Sequence, residues 1–472
     1  MAGTVRALLA LLLFVPFAMA MFQRKPRATA ASIVFLCGIG FLPEQAAYDL
    51  PALPPIGKEY LTYLCALAGG MIYRAQSIAS ARPGRGLEAL VVLMLVENII
   101  TALMNPDPMW DEGKLEAGLG VWDVVARTGD DALGIALPYF VGRALFRTRQ
   151  DAIVLMKTLG VVGLVYTVLI VIEVAGSIPF KVFQMGERVY GIRQQPLWRW
   201  GVIQPVVFLD NGLSVATFMA ACLIAVAALI KIRVEWLPIR AKRARLAVAF
   251  GLLMTRSVAG NVYGHVLTLC FALLKARTIA AIGLGLVTLS CTYPALRTAD
   301  LFPNRKLVEF AQGLDRERAR SLSGRFDEED FVLEGLGEKY WFGWGNYTRT
   351  PGVETFGVGE VGIDGWWVNR IGTHGIIGVQ LHYAIFGWPV FLAWRRMRRL
   401  RDPVLMALLA ALMVMVGMRS VDLLLNGWWN SLPVFFAGVL TGVSSSIGRG
   451  PPPAMSTPLA APRFEASSSG DA

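Results

Sequence analysis

Long apolar runs recur along almost the whole chain, and they leave few folds open. A helix that crosses a bilayer needs about 20 mostly apolar residues, and about 13 segments of this sequence approach that pattern. The composition agrees: 55% of side chains are hydrophobic, 17% are charged and the mean hydropathy is +0.52. A chain of 472 residues with that balance is too apolar for a water-soluble globule. The expected fold is therefore an all-α polytopic membrane protein with about 12–13 transmembrane helices. Residues 1–296 are expected to carry helices joined by short loops and 297–370 one large loop. Residues 371–445 then hold the last spans, and 446–472 form a Pro-, Ala- and Ser-rich tail that reads as disordered.

The formal net charge of +11 does not make this a nucleic-acid-binding chain. Its basic residues sit in short clusters between spans: Arg24 to Arg27, Arg74 to Arg85, Arg143 to Arg149, Lys231 to Arg245, Lys275 with Arg277, and Arg395 to Arg401. Short loops rich in Lys and Arg stay in the cytoplasm, and these clusters fall in every second loop. One orientation satisfies all of them. It puts the N-terminus outside, the tail inside, and the loops at 44–57, 105–130, 176–204, 256–262 and 297–370 away from the cytoplasm. Ala18-Met19-Ala20 resembles a signal-peptidase site, but the basic stretch after it favours an uncleaved first span.

Metal and nucleotide chemistry find no motif. Cys37, Cys65, Cys222, Cys270 and Cys291 lie in apolar spans without a CxxC pair, and His265, His374 and His382 stand apart. No metal site and no cofactor are expected. Glu97, Glu173, Asp210, Arg256 and Asp422 are ionisable groups within or beside spans, where charge is expensive. Most stand near the outer end of their span, which favours a polar cavity there over a path through the membrane.

The loop at 297–370 is too elaborate to be a tether. Leu322, Phe326, Leu333 and Leu336 recur at helical spacing, which predicts a short amphipathic helix with Arg325 beside its apolar stripe. The acids at 327–330 either solvate that helix or pair with Arg316, Arg318 and Arg320. Arg188 and Arg193 lie in the other sizeable outer loop, and Arg256 closes a span on the same side. Separated guanidinium forks on one face suit a diphosphate. Trp344 and Trp366 are candidate sugar platforms, although aromatic belts at interfaces need no substrate.

The order SLSGRFDEEDFVLEGLGEKYWFGWG, then Asp364-Gly365-Trp366-Trp367, then His374-Gly375-Ile376-Ile377-Gly378 resembles the O-antigen polymerase and ligase superfamily. Arg325, the Phe342-Gly343-Trp344-Gly345 turn and the Gly375–Gly378 segment stand at matching positions, and Asp364 matches the family's Asp-or-His position. ERVYGIRQQ is similar to the family's first loop arginine. LMTRSVAGN resembles its span-end motif, with Arg256 and Ser257 transposed.

The resemblance implies a GT-C-like integral-membrane glycosyltransferase with a large periplasmic loop, in the bacterial inner membrane. Its donor would be a polyprenyl-diphosphate-linked oligosaccharide at the periplasmic face, transferred without a metal. A flippase and a chain-length regulator of the same pathway are the implied protein partners, alongside membrane lipids and with no nucleic acid. Arginines would stabilise the leaving diphosphate, Asp364 would prepare the acceptor hydroxyl, and His374 is the substitute base. Asp364, where ligases of the family carry His, tilts the reading toward a polymerase. The alternatives are an O-antigen ligase, a transporter or flippase using Glu97, and a metal-dependent enzyme using Glu44, Asp49, Asp107, Asp111 or Glu112.

Overall fold

The computed structural model describes residues 4–49, 54–81, 87–111, 114–178, 181–199, 201–235, 241–314, 316–351, 365–427, 429–445 and 447. The expected base Asp364 and nearly all of the 446–472 tail lie outside them.

The chain is nearly all α-helical, and six helices are long and apolar enough to cross a membrane: Val5–Arg24, Arg149–Gly176, Gly212–Lys231, Ala276–Thr298, Trp366–Met397 and Pro403–Leu425. Arg27–Phe41, Val258–Leu273 and Leu432–Ser444 are shorter apolar helices. Of the other expected spans, Lys58–Tyr73 and Glu88–Leu103 are helices of 16 residues each. At 1.5 Å per residue such a helix is about 24 Å long, short of a hydrocarbon core of roughly 30 Å. The described residues thus hold six full-length spans, fewer than the expected 12–13, with shorter helices filling the remaining positions.

Burial sorts these helices into layers. The apolar windows of Gly212–Lys231 and Pro403–Leu425 are 89% and 83% buried, so these two form the centre. Val5–Arg24 is only 28% buried and turns Leu9, Leu12 and Leu13 outward. Outward Leu is expected where the solvent is hydrocarbon. Close approach between helices uses glycine. A Cβ on Gly417 would lie 2.8 Å from the Gly283 carbonyl, so the Ala276–Thr298 and Pro403–Leu425 backbones touch there.

The basic clusters gather at one end of the bundle. Arg27 pairs with Asp151 at 2.7 Å, Arg149 with Asp402 at 3.1 Å, and Arg74 donates to the Lys25 carbonyl at 2.8 Å. Lys231 caps the carbonyls of Phe271 and Leu274, Arg277 reaches the Leu400 carbonyl, and Arg396 bonds Ser444. At the opposite end, Thr4 bonds the Tyr190 carbonyl and Tyr60 bonds Asp130, while Glu59 accepts from Ser431. The two are called here the basic end and the loop end.

Two boundaries depart from the sequence expectation, and a third is tightened. The span expected from 205 begins at Gly212, because Asn211 caps it by accepting from the Leu213 and Ser214 amides. The segment 105–130, expected as loop, turns helical at Val121, and this helix runs through a π-turn at Ala132–Ala136 into Leu137–Leu145. The loop expected at 256–262 is a short corner between the helices Ala241–Met254 and Val258–Leu273, in which Arg256 has φ +55°.

In the large loop, the expected helix is present as Arg316–Leu336, with Phe326, Val332 and Leu336 buried. Its acids follow the expectation only in part. Glu329 is buried and accepts from Arg297 at 2.6 Å, Tyr293 at 2.9 Å and the Trp367 indole at 3.1 Å, and Asp330 accepts from Arg297 at 2.6 Å. Asp327 stays exposed, as a solvated face would have it, but Glu329 and Asp330 turn to an arginine of another helix. They dock this helix onto Ala276–Thr298 and Trp366–Met397.

Candidate functional site

The Trp366–Met397 helix is broken at Gly375, which adopts φ +62° and ψ −173°. A break frees carbonyls before it and amides after it, and these need partners when buried. The Phe342-Gly343-Trp344-Gly345 turn supplies them. Trp344 N donates to Gly372 O at 2.8 Å and Gly345 N to Thr373 O at 3.0 Å. In return Ile376 N donates to Tyr340 O at 2.9 Å and Ile377 N to Trp341 O at 3.3 Å. Contact is backbone to backbone: a Cβ on Gly343 would lie 2.5 Å from Thr373 C, and one on Gly375 2.4 Å from Phe342 N. The two glycine motifs are halves of one joint.

Polar side chains from two other helices lock this joint. From Glu88–Leu103, Thr101 donates to the Phe342 carbonyl at 2.9 Å and Asn105 to the Gly343 carbonyl at 3.1 Å. From Val121–Asp131, Arg127 bonds the Gly345 carbonyl and reaches Thr373 O at 3.4 Å. Arg127 also donates to Asn98 at 2.9 Å, and Asn98 in turn donates to Asp131 at 2.8 Å.

His374 stands at the centre of this cluster and is buried. Its Nδ1 lies 3.1 Å from Glu97 Oε2 and 2.6 Å from Arg127, and its Nε2 lies 2.9 Å from Arg370 Nη1. A guanidinium only donates, so Nε2, which faces Arg370, accepts from it, while Nδ1 stands between the Arg127 guanidinium and the Glu97 carboxylate. Arg370 is thereby oriented from one side by the ring and from the other by Trp366, whose face lies 5.2 Å from the guanidinium carbon. Among the described residues its hydrogen bond is the one to His374, and Asp130 and Asp131 lie within its electrostatic reach. His382, 5.0 Å from His374 ring to ring, approaches Asp131 at 3.5 Å.

Trp366 also stacks on Trp429 at 4.7 Å, and Trp429 faces two connected chambers at the loop end. The inner chamber has a volume of about 70 Å³ and the outer about 300 Å³. They share Glu44, Lys58, Glu59 and Trp429. Asp210 and Arg419 line the inner one, Arg419 being paired with Asp422 and Lys58 with Glu44.

The residues expected from the sequence are distributed differently. Arg188 is exposed on the Met185–Tyr190 helix, with its guanidinium 5.1 Å over the Phe183 ring, and Arg193 is exposed just beyond it. Arg256 reaches the Ile203 carbonyl at 3.3 Å. Arg325 is half-buried and within electrostatic reach of Tyr263, as are Arg419 and Asp422. Trp344 bonds the Gly335 carbonyl at 3.1 Å, with Lys339 over its ring, so it fastens the turn. Trp366 is only 3% exposed and serves as a wall behind Arg370; the ring open to the chambers is Trp429. Sequence reading missed Arg127, Arg370 and Lys58. Its one usable signal was the spacing Arg370, His374, which puts the two on one helical face.

Burial, reinforced by the Glu44 carboxylate, pushes the Asp210 carboxyl up to about 6. A carboxyl raised on folding contributes stability that is complete below its unfolded value near 3.9 and lost as pH rises through about 6. Asp210→Asn should therefore flatten the change in unfolding free energy between pH 4 and 7 relative to the parent protein, by about 2–3 kcal/mol. Identical pH profiles for the two proteins would refute this assignment.

No family model, curated protein or solved structure matches the chain.

Proposed function

We propose that the chain is a membrane glycosyltransferase. It would polymerise polyprenyl-diphosphate-linked oligosaccharide units into a surface polysaccharide at the periplasmic face of the bacterial inner membrane. The observation that carries this reading is Arg370: a guanidinium held by His374 and Trp366, with no other hydrogen bond among the described residues, separated by the Trp366–Trp429 stack from the chambers at the loop end of a membrane bundle. The oligosaccharide's anomeric carbon forms a bond to the acceptor hydroxyl oxygen, and its bond to the diphosphate oxygen breaks. Charge then develops on the leaving diphosphate, where a fixed guanidinium acts without reorganisation and in place of a divalent metal. Arg325, Arg188, Arg193 and Arg256 are further anion-binding candidates on outer segments. Asp364, on the segment leading into Gly365, is assigned the acceptor proton, with His374 positioning Arg370.

Cells lacking the protein should accumulate single lipid-linked repeat units, measured by size analysis of the lipid-linked glycans. Polymers stranded on the carrier lipid would instead identify a ligase acting on lipid A-core. Complementation with Arg325→Lys should restore little polymer, because an ammonium keeps the charge but loses the planar fork. Full-length polymer from that variant would remove Arg325 from the site.

A transporter is the second reading, favoured by the buried run Glu97, His374, His382 and Asp131, since ionisable groups inside a membrane bundle often relay protons. It makes a different prediction: repeat units held at the cytoplasmic leaflet in cells that lack the protein.

A further inference from the structure

The two connected chambers are not needed for holding a diphosphate, and their lining argues against one. Glu44, Glu59 and Asp210 face them, while the Lys58 ammonium is committed to Glu44 and to the Phe208 carbonyl at 3.1 Å, and the Arg419 guanidinium is paired with Asp422. A phosphate there would meet three carboxylates. A polyhydroxylated ring would not, because carboxylates accept from hydroxyl and amide N–H groups. Acceptor capacity is present: Glu59 receives both Ser431 bonds through Oε2, and Asp210 receives Asn211 through Oδ2. Among the described residues, Oε1 of Glu59 and Oδ1 of Asp210 have no hydrogen-bond donor.

The walls add a shape to this chemistry. Trp429 presents a half-buried ring to both chambers, braced from behind by Trp366. The inner chamber ends in an apolar floor of Phe218, Ala221, Met415, Met418 and Phe436. Such a floor has no partner for a hydroxyl, but it accepts a methyl group. The outer chamber, about 300 Å³, stands at the lower end of the range of roughly 300–1,000 Å³ that small-molecule sites occupy, and the inner one, about 70 Å³, has room only for a small substituent.

We infer that the double chamber is a glycan subsite for a pyranose that carries an apolar substituent, such as an N-acetyl methyl, and no carboxylate. The sugar ring lies against Trp429 in the outer chamber, its substituent enters the inner one, and Glu59 and Asp210 accept its hydroxyl and amide protons. This deepens the transferase reading and rests on it: the subsite selects neutral N-acetylated units over uronic acids, while Arg370, on the far side of the Trp429–Trp366 stack, keeps the diphosphate.

The test is saturation-transfer NMR on the full-length, detergent-purified protein. Its probes are N,N′-diacetylchitobiose, cellobiose, and a disaccharide of glucuronic acid. Diacetylchitobiose should give transfer strongest at its acetyl methyl, cellobiose a weaker signal, and the uronic acid none. Trp429→Ala should abolish the signal, and Trp429→Phe, which keeps an aromatic face, should retain it. The inference is overturned if no probe gives transfer, if the uronic acid matches the acetylated sugar, or if Trp429→Ala binds as the parent does. Polymer formation from a lipid-linked donor is measured separately. Failure there with intact sugar binding removes the transferase reading and leaves the binding site; normal transfer with binding indifferent to Trp429 removes only the subsite.

Discussion

Arg370→Lys should cut glycan transfer by ~100-fold or more, nearly as far as Arg370→Ala, when purified protein is given a lipid-linked donor. The reason is geometric. Arg370 donates to His374 Nε2 while its flat face lies over Trp366, so its remaining N–H groups point in a set direction. An ammonium retains the charge, but it cannot stack in the same way or present two parallel donors to one phosphate. The same assay run in excess chelator should leave the parent enzyme's rate unchanged, since guanidinium groups carry the leaving charge in this scheme. Transfer by the Lys variant at the parent rate would remove Arg370 from the reaction. A chelator-sensitive rate restored by magnesium or manganese would return the chemistry to a metal.

Gly375→Ala should lower the thermal midpoint by several degrees or prevent accumulation of folded protein, and Gly343→Ala should act alike. Gly375 combines φ +62° with ψ −173°, a region essentially reserved for glycine, and occupying it with another residue costs about 1–3 kcal/mol. Sterics add to that cost, because the new Cβ would lie 2.4 Å from Phe342 N and the same distance from Trp341 C. Backbone atoms cannot rotate away as a flexible side chain can. Gly285→Ala is the control: a Cβ there meets nothing within 4 Å, and alanine is the better helix former. Equal midpoints for Gly375→Ala and Gly285→Ala would show that the joint tolerates rearrangement.

Much of the architecture was legible because membrane helices advertise themselves locally. Apolar runs marked the helices of the bundle, and the alternating basic loops marked the residues that gather at one end. The helix at Arg316–Leu336 followed from the spacing of four apolar residues. Where composition misled, charge was responsible. Val121–Asp131 reads as a polar loop because of Asp123, Arg127, Asp130 and Asp131, yet Arg127 and Asp131 are the groups that bind Asn98, His374 and the glycine turn. The acids at 327–330 read as a solvated face, yet Glu329 is buried against Arg297.

The pairing of the two glycine motifs shows where local reading ends. The sequence by itself determined that the chain belongs in a membrane, where its helices run, and that a helix carries Arg325 in the large loop. It could not determine that the turn at 342–345 closes the hydrogen bonds opened at Gly375, since those partners are about 30 residues apart and meet only when both segments are packed. Nor could it assign partners to Arg127, Glu97 or Arg370, whose hydrogen bonds reach across up to 277 positions. A charge buried in an apolar bundle is tolerated only when opposite charges or hydrogen-bond donors and acceptors surround it, and those are supplied by whichever helices pack alongside. Helix by helix, hydrophobicity is a property of neighbours in the chain. The site is a property of neighbours in space.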